Sequence, residues 1–176
     1  ILTDPYRAIG ADQLAAYDAM IERRLRREPV SRILGRKGFW KIMLNVTPDV
    51  LSPRPDTETL IDVAVLAHAK NEAFTVADLG TGSGAILLAV LSERPAARGV
   101  GTDISSEALA VAKENAANLD LNERATFLRT EWAAGFGDAS FDLVVSNPPF
   151  VITPRVKDAE TWTYRDGGAE GGEGEG

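Results

Sequence analysis

Phe74-Thr75-Val76-Ala77-Asp78-Leu79-Gly80-Thr81-Gly82-Ser83-Gly84 decides the fold. Six residues read as a short buried strand, 74–79. Three glycines in five positions then make a turn, and Ala85-Ile86-Leu87-Leu88 opens a helix predicted over 85–93. The same alternation continues downstream. A strand is expected at 99–103, a helix from about Ser106 to Asn118, and strands at 125–130 and 141–146. Strands that alternate with helices form parallel βαβ units, and right-handed crossovers arrange them as an open, doubly wound α/β sheet with helices on both faces. Such a sheet normally has more than four strands, so the C-terminal strands are expected to be missing from this chain. Asp166 to Gly176 has no apolar residue except Ala169 and is mostly Gly and Glu, so it is expected to be a flexible, solvated tail.

Upstream of the sheet, the pattern changes. Asp12 to Glu28 lacks Gly and Pro, and Leu14, Tyr17, Ile21 and Leu25 recur at helical spacing, which predicts an amphipathic helix stopped by Pro29. Gly35, Gly38, Pro48 and Pro53 punctuate short apolar pieces over 30–54, which predicts a β-hairpin connector. Asp56 is placed to cap a helix running to about Lys70, with Leu60, Ile61, Ala64 and Val65 inward. The expected division is therefore 1–29 helical, 30–54 hairpin linker, 55–165 sheet domain and 166–176 tail.

With 176 residues the chain is long enough to bury a real core. No cysteine is present, which removes disulfides and thiolate metal sites. No apolar run approaches the ~20 residues of a membrane span, and no secretory signal pattern opens the sequence. A cytoplasmic location and a monomer are expected. The net charge of −7 argues against a protein that holds nucleic acid mainly through phosphates. One basic cluster runs against that trend: Arg23, Arg24, Arg26, Arg27, Arg32, Arg36 and Lys37. A solvated helix face and linker is the plainer account of it.

The glycine turn lets backbone approach a ligand at a helix N-terminus. Asp103 ends the next strand, where a carboxylate can accept hydrogen bonds from two ribose hydroxyls. Together they mark an adenosine-containing ligand. Gly80, Gly82 and Ala85 also satisfy the dinucleotide pattern, but Asp78 just before the first glycine would repel a pyrophosphate. S-adenosylmethionine has no phosphate. Its carboxylate suits the turn, and its ammonium suits Asp78. Glu131-Trp132 follows the third strand, where Glu131 can accept from an adenine amine and Trp132 can lie against the purine. A loop Glu and a half-buried Trp remain the alternative.

The fourth strand ends in Asn147-Pro148-Pro149-Phe150. Two prolines cannot continue a ladder, so the chain turns out as a stiff corner. That corner offers the Asn147 side-chain oxygen and the Pro148 carbonyl as acceptors for a planar NH2 group, with Phe150 as a stacking face. Two acceptors so placed aim the nitrogen lone pair at a methyl group, and catalysis is then mainly positioning and polar preorganisation. Arg54, Thr57 and Glu58 lie at the entry to the 56–70 helix and are candidates to gate the site or touch the donor; helix-start residues are the plainer reading. His68, the sole histidine, has no motif around it and is expected to serve packing or surface. No metal site is expected.

Arg27-Glu28-Pro29 with Gly35, Phe39-Trp40, Leu51-Ser52-Pro53-Arg54-Pro55-Asp56-Thr57-Glu58, the 78–84 turn, Asp103 and Asn147-Pro148-Pro149 together resemble the release factor glutamine N5-methyltransferases, from about residue 14 to 150. The Pro-Arg-Pro-Asp-Thr-Glu element discriminates most, since the glycine and Asn-Pro-Pro motifs are shared with many adenine and guanine methylases. The resemblance implies a small N-terminal helical domain, here reduced to a remnant over 1–29, a hairpin linker and a Rossmann-like class I methyltransferase domain. It also implies transfer of a methyl group from S-adenosylmethionine to the Gln side-chain amide in the Gly-Gly-Gln motif of peptide chain release factors. The donor-binding set is then Asp78, Gly80, Thr81, Gly82, Gly84, Asp103, Ile104, Glu131, Trp132 and Asn147. The catalytic corner is Asn147, Pro148, Pro149 and Phe150, and Asn147, Pro148, Phe150 and Arg54 meet the substrate. Phe150 stands where the family has Tyr, and Asp166 to Gly171 resembles a segment preceding the last part of the family's sheet. Two alternatives stay open: a DNA or RNA exocyclic-amine methyltransferase, and a non-catalytic cofactor-binding or interaction module.

Overall fold

The computed structural model describes residues 8–148. Pro149, Phe150 and the Gly/Glu-rich tail lie outside the described residues.

Four strands form one parallel sheet: β3 (Thr75–Leu79), β4 (Arg98–Asp103), β5 (Ala125–Arg129) and β6 (Leu143–Ser146), in the order β5-β4-β3-β6. The numbers leave β1 and β2 for the preceding hairpin, and α1 to α3 for the helices before the sheet. The crossover helices are α4 (Ala85–Glu93) and α5 (Ser106–Asn118), both at the boundaries expected. The path β3-α4-β4-α5-β5 steps in one direction, so right-handed crossovers put α4 and α5 on one face. Leu87 and Leu88 of α4 are fully buried there with Val76, Phe127 and Val145. α3 (Glu58–Ala67) packs beside α4, burying Ile61 and Ala64, with Leu60 and Val65 partly buried against the same core, as their spacing requires. The opposite face leaves Val144 and Leu128 exposed among the described residues.

The hairpin is present: β1 (Arg36–Phe39) pairs antiparallel with β2 (Ile42–Asn45) in register Phe39↔Ile42. Its two-residue turn puts Trp40 at φ 52°, the left-handed conformation that such turns favour. Glu58 Oε1 accepts the Trp40 backbone N–H at 2.9 Å, and Glu93 Oε1 accepts from Trp40 Nε1 at 2.9 Å. The hairpin is thus fastened to α3 and α4 by its tip.

Three local expectations need correction. The first helix, α1 (Ala11–Leu25), ends before Pro29: Arg27 takes φ 65°, and Glu28 N–H donates back to the Arg23 carbonyl at 3.2 Å. Pro29 instead starts a short second helix, α2 (Val30–Leu34), unforeseen inside the hairpin segment. The third concerns Asp56, which sits in a 3-10 turn (Pro55–Thr57) and makes no cap bond; α3 begins two residues later. The apolar stripe of α1 exists, but no residue of the helix is buried, and Leu14, Tyr17 and Leu25 are more than half exposed.

The basic cluster is partly structural. Arg23 pairs with Glu28 and donates to the Arg32 carbonyl at 3.2 Å, while buried Arg32 donates to the Val50 carbonyl at 2.5 Å. Two of its guanidiniums thus tie α1, α2 and the following loop together. Arg94 does similar work at the end of α3, donating to the carbonyls of Val65 and His68, and Arg124 caps α4 through Leu91, Arg94 and Ala97. His68 stacks on Phe74 at 3.8 Å, a packing role, and no cluster among the described residues could hold a metal ion. No described helix is long and apolar enough to cross a membrane.

Candidate functional site

The sheet's C-terminal ends gather most of the residues singled out from sequence. Register does this directly. Leu79 pairs with both Thr102 and Ser146, so the next residue of each strand, Gly80, Asp103 and Asn147, lies at adjacent strand ends. Neighbouring strands are about 5 Å apart, which brings Asn147 beside the glycine turn. Asp103 pairs with Arg129, and the Thr130 N–H donates to the Asp103 carbonyl at 3.2 Å, drawing the 131–132 loop to the same rim.

The turn is held open. Gly80 and Gly82 have φ of 72° and 54°, and a Cβ at either position would meet nothing within 4 Å. These are open backbone positions, as an approaching ligand requires. The Thr81 N–H donates to the Thr102 carbonyl at 2.8 Å, and Gly84 is the N-cap of α4. The Gly82 N–H donates to Asp103 Oδ2 at 2.9 Å, and Asp103 Oδ1 accepts from Ser105 N–H at 3.0 Å. Each Asp103 oxygen keeps a lone pair for a further donor. The Gly82 amide, however, is committed within the protein and not free for a ligand carboxylate.

Asp78 is placed differently from the expectation of an open ligand contact. Its side chain is 1% exposed. Oδ2 accepts from Thr81 Oγ1 at 2.7 Å and from the Leu87 N–H at 3.3 Å, so this oxygen braces the turn against the start of α4. Oδ1 is buried without a partner among the described residues. Burial pushes the carboxyl up to about 6, against the hydrogen bonds from Thr81 and Leu87. A buried acceptor with an open lone pair beside an open turn fits a ligand cation.

Glu131 and Trp132 are exposed at the rim; the Trp132 carbonyl accepts from Thr102 Oγ1 at 2.9 Å, and its backbone takes φ 47°. Ile104 is half exposed, and its carbonyl accepts from Arg129 Nε at 2.9 Å. Asn147 and Pro148 are half-buried. Asn147 Nδ2 donates to Thr57 Oγ1 at 2.9 Å. That contact places the Pro-Arg-Pro-Asp-Thr-Glu element against the corner. Arg54 is exposed, three residues upstream, with its carbonyl accepting the Thr57 N–H at 3.1 Å. Within the same element, Glu58 reaches the hairpin instead.

Sequence reasoning missed Asn115. It is 1% exposed, its Oδ1 accepts the Asn45 N–H at 2.7 Å, and its Nδ2 donates to the carbonyls of Ser83 (2.9 Å) and Asn45 (3.1 Å). It joins hairpin, glycine turn and α5. The signal was legible: an Asn four residues after Val111 and three after Ala112, on the inward stripe of a helix, needs a buried partner.

Comparison with known proteins agrees with this geometry. The family model described as methyltransferase small domain matches residues 47–164, and that described as PrmC N-terminal domain matches residues 1–35. The release factor glutamine methyltransferase of Caulobacter vibrioides is 57% identical over 178 residues, covering 97% of this chain and 62% of that protein. The Rhodospirillum rubrum protein of the same name is 46% identical, covering 94% of the chain and 52% of that protein. The chain therefore spans between about half and two-thirds of these relatives. Human methyltransferase 10 domain containing protein matches in fold, with a TM-score of 0.53 at 18% identity over 64% of this chain and 56% of that one. With its parallel sheet, its open glycine turn and a family match over more than half its length, the chain belongs to the methyltransferase small domain family.

Proposed function

We propose that the protein transfers a methyl group from S-adenosylmethionine to the side-chain amide nitrogen of a glutamine in peptide chain release factors, at their Gly-Gly-Gln motif. The observation that carries this reading is the strand register, which sets Asn147 beside Gly80, with Asp103 at the end of the strand on Gly80's other side. The names of the relatives supply the substrate class. When bound, S-adenosylmethionine supplies an electrophilic methyl group on a sulfonium. The chain's own residues do the rest. Asp103 would accept hydroxyl donors with its remaining lone pairs, and the Asp78 carboxylate, buried beneath the turn, would favour the donor's ammonium through its charge. Gly80, Thr81, Gly82 and Gly84 shape the turn, and Ile104, Glu131 and Trp132 are the rim residues that would hold the adenine.

Asn147 Oδ1 accepts one N–H of the substrate amide and the Pro148 carbonyl accepts the other. Both bonds draw the nitrogen lone pair out of conjugation and toward the methyl group. The proton leaves after transfer, so no strong base is needed. Pro149 and Phe150, which complete the corner in this reading, lie outside the described residues. Residues 1–29 are taken as part of a substrate-contacting helical region, 30–54 as its connector, and 55–165 as the catalytic domain of a cytoplasmic monomer. Arg54 is assigned to the substrate side.

The test is incubation with labelled donor and purified release factor, intact or with Gln→Ala in its Gly-Gly-Gln loop. Label should enter only the intact factor, and Asn147→Ala should lower the rate about 100-fold or more. Equal labelling of both factors, or an undiminished rate in Asn147→Ala, overturns the reading.

A further inference from the structure

A primary carboxamide is nearly symmetric in shape but not in chemistry: one end accepts, the other donates. A substrate NH2 needs the accepting end. If Asn147 turned its Nδ2 toward it, donor would face donor. Something must therefore fix which end of Asn147 faces the reacting nitrogen.

We infer that Thr57 is the positioning residue that fixes it. Its Oγ1 accepts from Asn147 Nδ2 at 2.9 Å across 90 residues of sequence, which occupies the donating end and leaves Oδ1 for the substrate. Two further observations set this contact apart from an incidental one. Thr57 stands at the N-cap position of α3, where a threonine hydroxyl normally accepts from the helix's own first turn; here it makes no such bond, and its backbone is helical (φ −68°, ψ −20°), which turns the hydroxyl away from that task. The backbone that carries it is also held from three sides. Pro53 and Ser52 are buried, Ser52 Oγ lies 3.0 Å from Ser31 Oγ, the Thr57 N–H donates to the Arg54 carbonyl, and the adjoining Glu58 holds the hairpin tip. The hydroxyl is thus presented by a braced turn to a residue on another element. Within the Pro-Arg-Pro-Asp-Thr-Glu element, Asp56 lies in the 3-10 turn and Thr57 spends its side chain on the site.

The inference rests on the proposed function only for its kinetic arm. Thr57→Val keeps the shape and removes the hydroxyl; Thr57→Ser restores a hydroxyl. In the methylation assay, Thr57→Val should lower kcat about tenfold, the worth of one hydrogen bond to an oriented group. Donor affinity should stay unchanged, and Thr57→Ser should recover most of the rate. In an Asn147→Ala background, Thr57→Val should add no further loss. The second arm needs no turnover: hydrogen exchange at the Asn147 side-chain NH2, followed by NMR, should be slowed in the wild type and in Thr57→Ser and fast in Thr57→Val. Absence of wild-type methylation with that exchange pattern intact defeats the functional reading alone. Wild-type methylation unaltered by Thr57→Val, or identical Asn147 side-chain exchange in both proteins, overturns the role of Thr57.

Discussion

Asp78 has one carboxylate oxygen occupied twice and the other, though buried, without a partner. Its titration has a definite sign. The group titrates near 4 in an unfolded chain and is pushed up to about 6 in the fold. The fold therefore favours the protonated form. That stabilisation is complete below about pH 4 and is lost as pH rises through 6, about 3 kcal/mol in all for a shift of about two units. Glu28, Glu93 and Asp142 act in the opposite sense, being held low by Arg23, by Lys41 and by the Thr75 N–H respectively, so their contributions fade as pH falls. Comparison with Asp78→Asn isolates the one group. Urea titrations between pH 4 and 7 should show wild-type stability falling relative to that variant; parallel curves would remove the buried carboxyl from the account. On the proposed reading, donor affinity measured by calorimetry also rises through pH 6 in the wild type, and Asp78→Asn flattens that rise.

At the scale of elements, packing sets the tolerances. A Cβ at Gly101 in β4 would come within 2.8 Å of Phe127 and of Thr81 Oγ1. Gly101→Ala should therefore both crowd the core and displace the hydroxyl that braces Asp78, costing about 1–3 kcal/mol in a denaturant titration. Asn115→Leu should cost about 3 kcal/mol, because it leaves backbone groups of Asn45 and Ser83 buried without partners; a loss below 1 kcal/mol would mean that water replaces the amide. The elements of the sheet were legible because each carries one periodicity and ends at a glycine, a proline or a cap: α4 and α5 begin and end where read, and Ser105 caps α5 through the Ala108 N–H. Residues 25–35 were less legible. A left-handed Arg27 and a proline that begins a helix both run against the usual punctuation, and the Arg23 and Arg32 guanidiniums that tie this stretch together reach Glu28 and carbonyls that no sequence pattern announces. In the site, strand-end positions could be read because register follows from topology. The Thr57 and Asn115 contacts span 90 and 70 residues; Asn115 had only the signature of a polar residue in an apolar row, and Thr57, between two acidic residues, had none.

For the whole molecule, charge and connectivity matter most. The chain carries a net charge of −7, and two of its clustered arginines are spent on internal carbonyls. Binding of a protein substrate should then weaken only modestly between 50 and 200 mM salt, whereas a nucleic-acid substrate would show losses of 10³-fold or more; affinity measured over that range separates the two. Connectivity divides the site in time. Thr75 to Asp103 is one continuous βαβ stretch, closed by local contacts. The partner of Asn147 lies 90 residues upstream, and the strand that delivers it, β6, joins the free edge of β3 only after the chain has passed through β4 and β5. Closing a loop of that length costs about 4 kcal/mol of chain entropy before any contact compensates it. The glycine turn can thus nucleate early, and the strand end that carries Asn147 must arrive last. Pulse-labelled exchange during refolding should protect β3 and β4 before β6; simultaneous protection would mean that both halves of the site form in a single step.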